Sequence, residues 1–292
     1  MESYETTVVR EGLAFGEAPR WHEGRLWFSD FYRHGIFSMA PDGSDERVEV
    51  DVDGQSSGLG WAGDGSLLYV SMIDQQLRHF RDGVVTTFAD ISAHCVFWAN
   101  EMLVTPAGFA YVGSFGYDLD VLLRDLGPAG FIALPPPSTN LIVVDPDGEV
   151  VQVVPEMDFP NGTVVTPDGS TLIVAETVAR RLSAFSVNPD GTLRDRRVWA
   201  QFTGWTFPDG ICLDAEGQVW LANTIAPECK RVAEGGEVTA VATTSQNAFA
   251  CALGGDDGRT LYAMTAPSSD RFVVADQRLG KVEATTVDVS GA

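Results

Sequence analysis

A strand-turn-strand pattern of apolar segments recurs along the whole chain, and no long segment shows the 3.6-residue periodicity of an amphipathic helix. Each copy begins with a polar or small residue and contains a glycine turn between two apolar runs. The runs are rich in β-branched and aromatic residues, which favours strands. Six copies can be aligned: EAPRWHEGRLWFSD, SGLGWAGDGSLLYVS, NEMLVTPAGFAYVGS, NGTVVTPDGSTLIVAE, DGICLDAEGQVWLAN and ACALGGDDGRTLYAMT.

The spacing of the turn glycines predicts the architecture. These glycines are Gly24, Gly65, Gly108, Gly169, Gly217 and Gly258, at intervals of 41, 43, 61, 48 and 41 residues. A period of about 40 to 50 residues with room for four strands is typical of a propeller blade. We therefore predict an all-β fold, a six-bladed β-propeller formed by residues 1–292 as a single domain. The N-terminal ETTVVR is expected to close the ring as an outer strand of the last blade.

The longest interval contains an insertion of roughly 20 residues over the usual period. It falls within residues 115–140, where Gly127-Pro128 and the prolines at 135–137 predict a long loop with one helical turn around DVLLRDL. Loops of this length in compact domains are often functional. The apolar content of the segment favours packing over disorder, so we predict an inserted loop that is a candidate lid over the site.

One position of the repeat carries oxygen-bearing side chains. It lies eight residues before the turn glycine, or seven in the first copy, and we call it the column: Glu17, Ser57, Asn100, Asn161, Asp209 and Ala250. In a propeller this position begins the innermost strand, so its members converge near the axis. Two carboxylates and two amides at one point suit a hard divalent cation, which predicts a central-channel metal site. Capping of backbone groups at strand starts is the alternative.

Four motifs around the column resemble those of the senescence marker protein/gluconolactonase/luciferin-regenerating enzyme family. They are GEAPRW, WANEMLVTPAG, FPNGTVVTPDG and FPDGICLDAEG, in order over nearly the whole chain. Members are six-bladed propellers with one catalytic divalent metal, commonly Ca²⁺, Mg²⁺, Mn²⁺ or Zn²⁺, and many hydrolyse lactones. The resemblance implies that Glu17, Asn161 and Asp209 bind the metal. It further implies that Asn100 binds metal or substrate and that Asp209 is the general base.

The chemistry suits these residue types, and we predict a divalent-metal-dependent lactonase or esterase with Ca²⁺ as the first choice of ion. A lactone carbonyl bound to the metal becomes more electrophilic, and a nearby carboxylate can take a proton from the attacking water. Two alternatives stay open. The same ligands would serve phosphotriester hydrolysis or a metal-assisted cyclisation, and a non-catalytic binding propeller would use the ion only to tie its blades together.

One departure from the family pattern bears on the substrate. Gluconolactone-acting animal members have an arginine two residues before the column asparagine, where this chain has Trp98, which cannot donate several hydrogen bonds to sugar hydroxyls. We therefore predict a lactone less hydroxylated than a sugar lactone. Packing of the loops is the alternative role of the aromatic residues. The predicted substrate contacts are Asn100, Trp98, Arg20, Phe115, Phe159, Trp205 and Phe207.

Charge and cysteine content limit the partners and the compartment. Acidic residues outnumber basic ones 41 to 19, giving a net charge of −22, which argues against nucleic acid and anionic membranes as partners. The four cysteines are far apart, without disulfide-scaffold or CxxC spacing, and favour core thiols. Neither a signal segment nor a run of about 18 apolar residues occurs. We expect a cytoplasmic protein whose partner is a small lactone or ester.

Overall fold

The computed structural model describes residues 1–133 and 137–292. In chain order the strands are β1 (Glu2–Glu5), β2 (Thr7–Leu13), β3 (Gly16–His22), β4 (Arg25–Asp30), β5 (Gly35–Met39), β6 (Arg47–Asp51), β7 (Ser56–Trp61), β8 (Leu67–Ser71), β9 (Gln76–Arg81), β10 (Val84–Asp90), β11 (Ala99–Val104), β12 (Ala110–Ser114), β13 (Thr139–Val144), β14 (Val150–Met157), β15 (Pro160–Val165), β16 (Thr171–Glu176), β17 (Arg181–Val187), β18 (Leu193–Gln201), β19 (Pro208–Leu213), β20 (Val219–Asn223), β21 (Glu228–Val232), β22 (Val238–Thr243), β23 (Asn247–Gly254), β24 (Thr260–Ala266) and β25 (Gly280–Thr286). The helices are α1 (Leu119–Ala133) and α2 (Arg271–Val274), and a 3₁₀ turn spans Ser92–His94.

The strands form six sheets arranged in a ring. The blades are β3–β6, β7–β10, β11–β14, β15–β18, β19–β22 with β1 added, and β23–β25 with β2 added. The innermost strands contact one another in the order β3, β7, β11, β15, β19 and β23, and β23 contacts β3. The predicted six-bladed β-propeller is therefore confirmed.

The place of a strand within its blade explains its hydrophobic pattern. The second strands β8, β12 and β20 are buried at every position, because neighbouring blades cover both faces of the sheet. The outermost strand β10 buries one residue of seven and leaves Val84 exposed. The core consequently lies between blades, as where Ile173, Leu182 and Trp199 of the fourth blade pack against Leu221 of the fifth.

The N-terminal segment attaches to two blades. Strand β2 pairs antiparallel with β25, which confirms the prediction that this segment supplies the outer strand of the last blade. Strand β1 pairs in parallel with β22 of the fifth blade, which was not predicted. Between them, the Thr6 hydroxyl donates to Glu283 Oε2 at 2.6 Å and the Thr6 amide donates to the Thr243 carbonyl at 3.1 Å. The junction is thus anchored to both blades.

The insertion in the third blade is more helical than predicted. Helix α1 covers most of it and is interrupted at Gly127, where φ is 64°. Asp118 begins the helix, since its Oδ1 accepts a hydrogen bond from the Val121 amide at 3.1 Å. The Gly127-Pro128 pair interrupts the helix without ending it, so the predicted single turn was too short. Residues 134–136, part of the predicted lid, lie outside the described residues.

The four cysteines are all free thiols: Cys95, Cys212, Cys229 and Cys251. The last two are buried, as expected of core thiols. Within the described ranges, no helix is both long enough and apolar enough to cross a membrane.

Two glycines with left-handed backbones provide a test of ring closure. Gly43 (φ 82°) lies in the turn between β5 and β6, and a Cβ there would lie 1.9 Å from the Val9 carbonyl oxygen of β2; Gly24 (φ 75°) has nothing within 4 Å of the same position. Gly24→Ala is expected to lower the free energy of unfolding by about 1 kcal/mol through backbone strain alone. Gly43→Ala should cost about 1–3 kcal/mol more, because the closing strand must move.

Urea unfolding of both variants checks this difference. Equal losses for the two variants would contradict a close contact between β2 and the first blade.

Candidate metal centre and active site

Each innermost strand is bulged at the column position. In β7, β11, β15 and β19 the column residue lies within a shift of the pairing register with the second strand, and in β3 the shift comes directly after Glu17. A bulge turns the local side chains away from the regular alternation of a strand. As a result, four column residues point into one cavity at the axis and are buried at its floor: Glu17, Asn100, Asn161 and Asp209.

Glycines follow two of these residues because neighbouring strands nearly touch below the column. A Cβ on Gly162, after Asn161, would lie 2.5 Å from the Asp209 carbonyl oxygen. A Cβ on Gly210, after Asp209, would lie 2.6 Å from the Ala250 Cα. Both distances are shorter than real Cβ contacts. The residues that directly follow the column residues, called the row beneath the column, therefore have no space for a side chain at these two strands. The Asn-Gly and Asp-Gly pairs are therefore packing requirements and not hairpin turns.

The hydrogen bonds of the column leave oxygen atoms free. Asn100 Oδ1 accepts from the Ser57 hydroxyl at 3.3 Å, and Asn161 Nδ2 donates to the Thr177 hydroxyl at 3.4 Å, which leaves Asn161 Oδ1 available as a ligand. Asp209 Oδ1 is buried and has no hydrogen-bond partner within the part of the chain that the structure describes. Such an atom is costly unless a proton or a cation joins it.

Buried like charges shift both carboxyl groups in the same direction. The pKa of Glu17 is raised well above its usual range by burial, by the charge of Asp209 and by that of Glu101. The pKa of Asp209 is raised well above its usual range by burial and by the charge of Glu101. Both groups would bind a proton or a cation more strongly than an exposed carboxylate does.

The donor set fits a hard cation although it is not a cluster of acidic side chains. Over residues 1–133 and 137–292, no group of three or more His, Cys, Asp or Glu side chains is placed to hold a metal. The column instead offers two carboxylates and two amides, which suits Ca²⁺ or Mg²⁺ better than a thiolate- or imidazole-preferring ion. The unpartnered Asp209 Oδ1 is the atom that most needs such an ion.

The sixth member of the column is Phe249 and not the predicted Ala250. The register of β23 shifts between Ala248 and Ala250, so Phe249 occupies the bulge and lines the cavity. Counting back from Gly258 failed because the bulge of β23 lies one residue further from its turn glycine than the bulges of the second to fifth blades do. An aromatic ring thus takes the place of a sixth polar side chain.

The cavity above the column has a volume of about 440 Å³ and aromatic walls. All five aromatic residues predicted to contact substrate line it: Trp98, Phe115, Phe159, Trp205 and Phe207. The rings contact one another, as between Phe115 and Phe159, whose centroids are 4.7 Å apart, and between Phe15 and Phe249, at 4.9 Å. Trp205 is the exception in burial, with 71% of its surface exposed at the rim.

A second column, two residues before the first, forms much of this wall. Its cavity-lining members are Phe15, Gln55, Trp98, Phe159 and Phe207. The four aromatic members are called the aromatic collar below. Sequence reasoning found three of them but missed Phe15, although the same two-residue offset from Glu17 would have identified it.

Arg20, which was predicted to contact substrate, does not line the large cavity. Its side chain lies on the far side of the column, where it is bonded to Glu101 and donates to the Met102 carbonyl at 2.7 Å. The two residues line a separate chamber of about 10 Å³, the size of one water molecule. Glu101 follows Asn100 and is the one charged residue in the row beneath the column. It was not predicted from the sequence.

The insertion contributes to the cavity opposite the column. Asp118, Leu119, Asp120 and Leu123 all line it, and Ser269 does so from the loop of the sixth blade. Burial raises the pKa of Asp120 to about 6, against the opposing effect of Arg271. The predicted position of the insertion next to the site is thus observed, while its role as a lid stays a prediction.

One family model covers most of this chain. The family model described as SMP-30/Gluconolactonase/LRE-like region matches residues 15–267. This chain belongs to the SMP-30/gluconolactonase/LRE-like family. Membership supports a lactonase-type hydrolase function in broad terms.

Individual members of the SMP-30/gluconolactonase/LRE-like family are distant in sequence. Regucalcin from Gallus gallus is 25% identical over 273 residues, which cover 89% of this chain and 85% of the relative. The structure of regucalcin from Agrobacterium tumefaciens, described as a calcium-binding protein, gives a TM-score of 0.81 at 20% identity and covers 100% and 97% of the two chains. A gluconolactonase from Xanthomonas campestris gives 0.74 at 20% identity, covering 96% and 89%. At these identities the structural similarity shows the fold.

The raised carboxyl pKa values predict a stability effect with a definite sign. When folding raises the pKa of a carboxyl group, the contribution of that group to folding stability falls as the pH rises above its unfolded pKa of about 4. In the presence of chelator, Asp209→Asn should therefore stabilise the protein on the order of 1 kcal/mol at pH 8, and by less at pH 5.

Asp214→Asn is the matched control for this prediction. Asp214 is also buried, but its carboxylate accepts from Arg231 Nε at 2.6 Å, so loss of its charge should destabilise the fold. Thermal unfolding of the two variants with chelator measures both effects. A destabilised Asp209→Asn would contradict the assignment of an unpaired buried charge.

Proposed function

We propose that this propeller is a divalent-metal-dependent hydrolase that opens lactones, or related activated esters, less hydroxylated than sugar lactones. The observation that carries the proposal is a buried carboxylate with an unpartnered oxygen, Asp209, at the floor of an aromatic cavity. Family membership supports the reaction class, while the metal and the substrate are inferred from the residues.

Asp209 differs from other buried carboxylates of this chain. Asp30, Glu176, Asp214 and Glu283 all accept hydrogen bonds from backbone amides, hydroxyl groups or arginines. Structural acids in this protein are therefore satisfied by the protein itself. An acid that lacks such partners and faces a cavity is a candidate for function.

The column would hold the ion through Glu17, Asn161 and Asp209, with Asn100 as a further ligand or a substrate contact, and Ca²⁺ is the first choice. When bound, the ion would supply Lewis acidity to the ester carbonyl. An ion used only to tie blades together would be enclosed by protein ligands. Here the ligands open onto about 440 Å³ of space, which favours the enzyme over a purely structural site.

In the proposed mechanism Asp209 is the general base. A water molecule attacks the lactone carbonyl carbon and passes its proton to the Asp209 carboxylate. The bond between the carbonyl carbon and the ring oxygen then breaks, and that oxygen takes the proton to give a hydroxy acid. Ser57 holds Asn100 through Oδ1, which leaves the Asn100 amide hydrogens free to orient the substrate.

The walls of the cavity select the substrate. The aromatic collar offers apolar surface, and no lysine, arginine or histidine lines the cavity in the regions that the structure describes. A polyhydroxylated sugar needs many hydrogen-bond partners, and leaving them unmet is costly. An uncharged aromatic or alkyl lactone buries its surface against the collar without that cost.

Location and partners remain predictions. The free thiols favour a reducing compartment, which we take to be the cytoplasm. The acidic composition argues against nucleic acid or an anionic membrane as a partner. The proposed partner is the small-molecule substrate.

A chelator test addresses the metal and the base together. Hydrolysis of dihydrocoumarin, a neutral aryl lactone, should be lost with chelator and restored by Ca²⁺ or another divalent ion. Asp209→Asn should lower kcat/KM by about 10²- to 10⁴-fold. Asp82→Asn, at an exposed site in the turn between the outer strands β9 and β10, is the control and should leave the rate unchanged. Full activity with chelator would disprove the metal, and full activity of Asp209→Asn would disprove the base.

A second assay tests the substrate class. We expect kcat/KM for dihydrocoumarin to exceed that for gluconolactone by at least about tenfold, because the aromatic collar offers few hydrogen-bond partners to sugar hydroxyls. The two lactones are compared on the same enzyme under the same metal concentration. A clear preference for gluconolactone would overturn the apolar-substrate proposal but not the metal site.

A further inference from the structure

Two connections from opposite sides of the ring meet above the cavity. Helix α1 lies between β12 and β13 of the third blade, and α2 lies between β24 and β25 of the sixth. Two innermost strands separate these blades in either direction around the ring. Since the second strand of a blade ends where the innermost strand begins, both connections lie at the column end of the propeller.

Arg271 joins the two connections. Its Nη2 lies 3.1 Å from Asp118 Oδ2, and its Nη1 lies 3.6 Å from Asp120 Oδ2. All three side chains are at least partly shielded, with exposures between 14% and 27%. A guanidinium that engages two partly buried carboxylates is worth more than an exposed surface pair. We call these three residues the clasp.

The clasp is built into rigid parts of both connections. Asp118 uses Oδ1 to cap α1 and Oδ2 to bind Arg271, so the beginning of the helix and the ion pair depend on the same side chain. On the other side, Asp270 caps α2 by accepting from the Phe272 amide at 2.9 Å, and Val274 is buried in the cluster that contains Phe31. The arginine is therefore held from both ends.

The clasp also borders the substrate cavity. Asp118 and Asp120 line it, and the Arg271 guanidinium lies 5.8 Å from the ring centre of Trp98, a member of the aromatic collar. Arg124 of α1 adds a second link, 4.9 Å from the ring centre of Phe272. Displacing Arg271 would thus remove the ion pairs between α1 and the sixth blade, leave the contact of Arg124 with Phe272, and loosen the side of the cavity opposite the column.

We propose that Arg271 determines specificity by holding helix α1 across the cavity, which sets an upper size for the substrate. Because Arg271 is paired with two carboxylates and is not among the residues that line the cavity, it acts as a positioning residue and does not contact the substrate. The inference rests on the proposed function for its substrate class. The position of α1, however, can be measured without turnover.

The first measurement is hydrogen exchange over residues 117–127 in the parent, Arg271→Met, Arg271→Lys and Arg278→Met. Arg278 is an exposed arginine of the same connection and serves as the control. Arg271→Met should accelerate exchange in this segment by roughly tenfold or more, since the link between blades is lost. Arg271→Lys should restore part of the protection, because lysine keeps the positive charge but lacks the planar guanidinium that can bind two carboxylates at once. Unchanged exchange in Arg271→Met would overturn the clasp.

The second measurement concerns size. In the Asp209→Asn background, binding of dihydrocoumarin and of a larger fused-ring naphthyl lactone is followed by quenching of tryptophan fluorescence. Arg271→Met should shift the ratio of the two affinities by roughly tenfold towards the larger lactone, and Arg278→Met should not. An unchanged ratio would overturn the specificity role. If the parent hydrolyses no lactone but the ratio shifts, the proposed reaction fails while the role of Arg271 in selecting ligands by size stands.

Discussion

Below the column, backbone atoms of neighbouring innermost strands come so close that a Cβ on Gly58 would lie 2.1 Å from the Met102 nitrogen. This convergence of six strands at the axis is the constraint on which the rest of the site depends. Glycine or alanine fills the row beneath the column at five of the six strands, and each strand must bulge to enter it. The bulges direct the column residues to one side, so the four oxygen-bearing side chains share one small volume.

The same constraint brings unfavourable electrostatics. Glu17 and Asp209 are buried together with Glu101 nearby, and their charges oppose one another. Elsewhere the fold avoids this situation: Glu176 is buried too, but two arginines and a serine hold it, and those contacts outweigh burial and lower its pKa. A functional site that conflicts with stability in this way is a common feature of enzymes. Among the described carboxyl groups, those at the axis, Glu17 and Asp209, are the ones whose pKa is raised well above the usual range.

Features encoded by local patterns could be predicted from the sequence, and those that depend on tertiary register could not. The turn glycines and apolar runs indicated six blades and the closing strand β2, since each blade is a local unit. Strand β1 has the sequence ESYE and no apolar pattern, so its parallel pairing with β22 left no signal. Phe249 was missed because the bulge of β23 lies one residue further from its turn than the bulges of the second to fifth blades. Arg20 was misplaced because the bulge changes which side of the strand a nearby residue faces.

The pairing of Arg20 with Glu101 determines the width of the central channel on the far side of the column. With this pair bonded at the far side of the column, the channel narrows there to a chamber of about 10 Å³. In the described part of the chain, the large cavity and this chamber are therefore separate spaces on the two sides of the column. Under the proposed function, substrate and product would both pass through the large cavity. A product carboxylate leaving it would be repelled by the net negative charge of the protein, which favours release over rebinding.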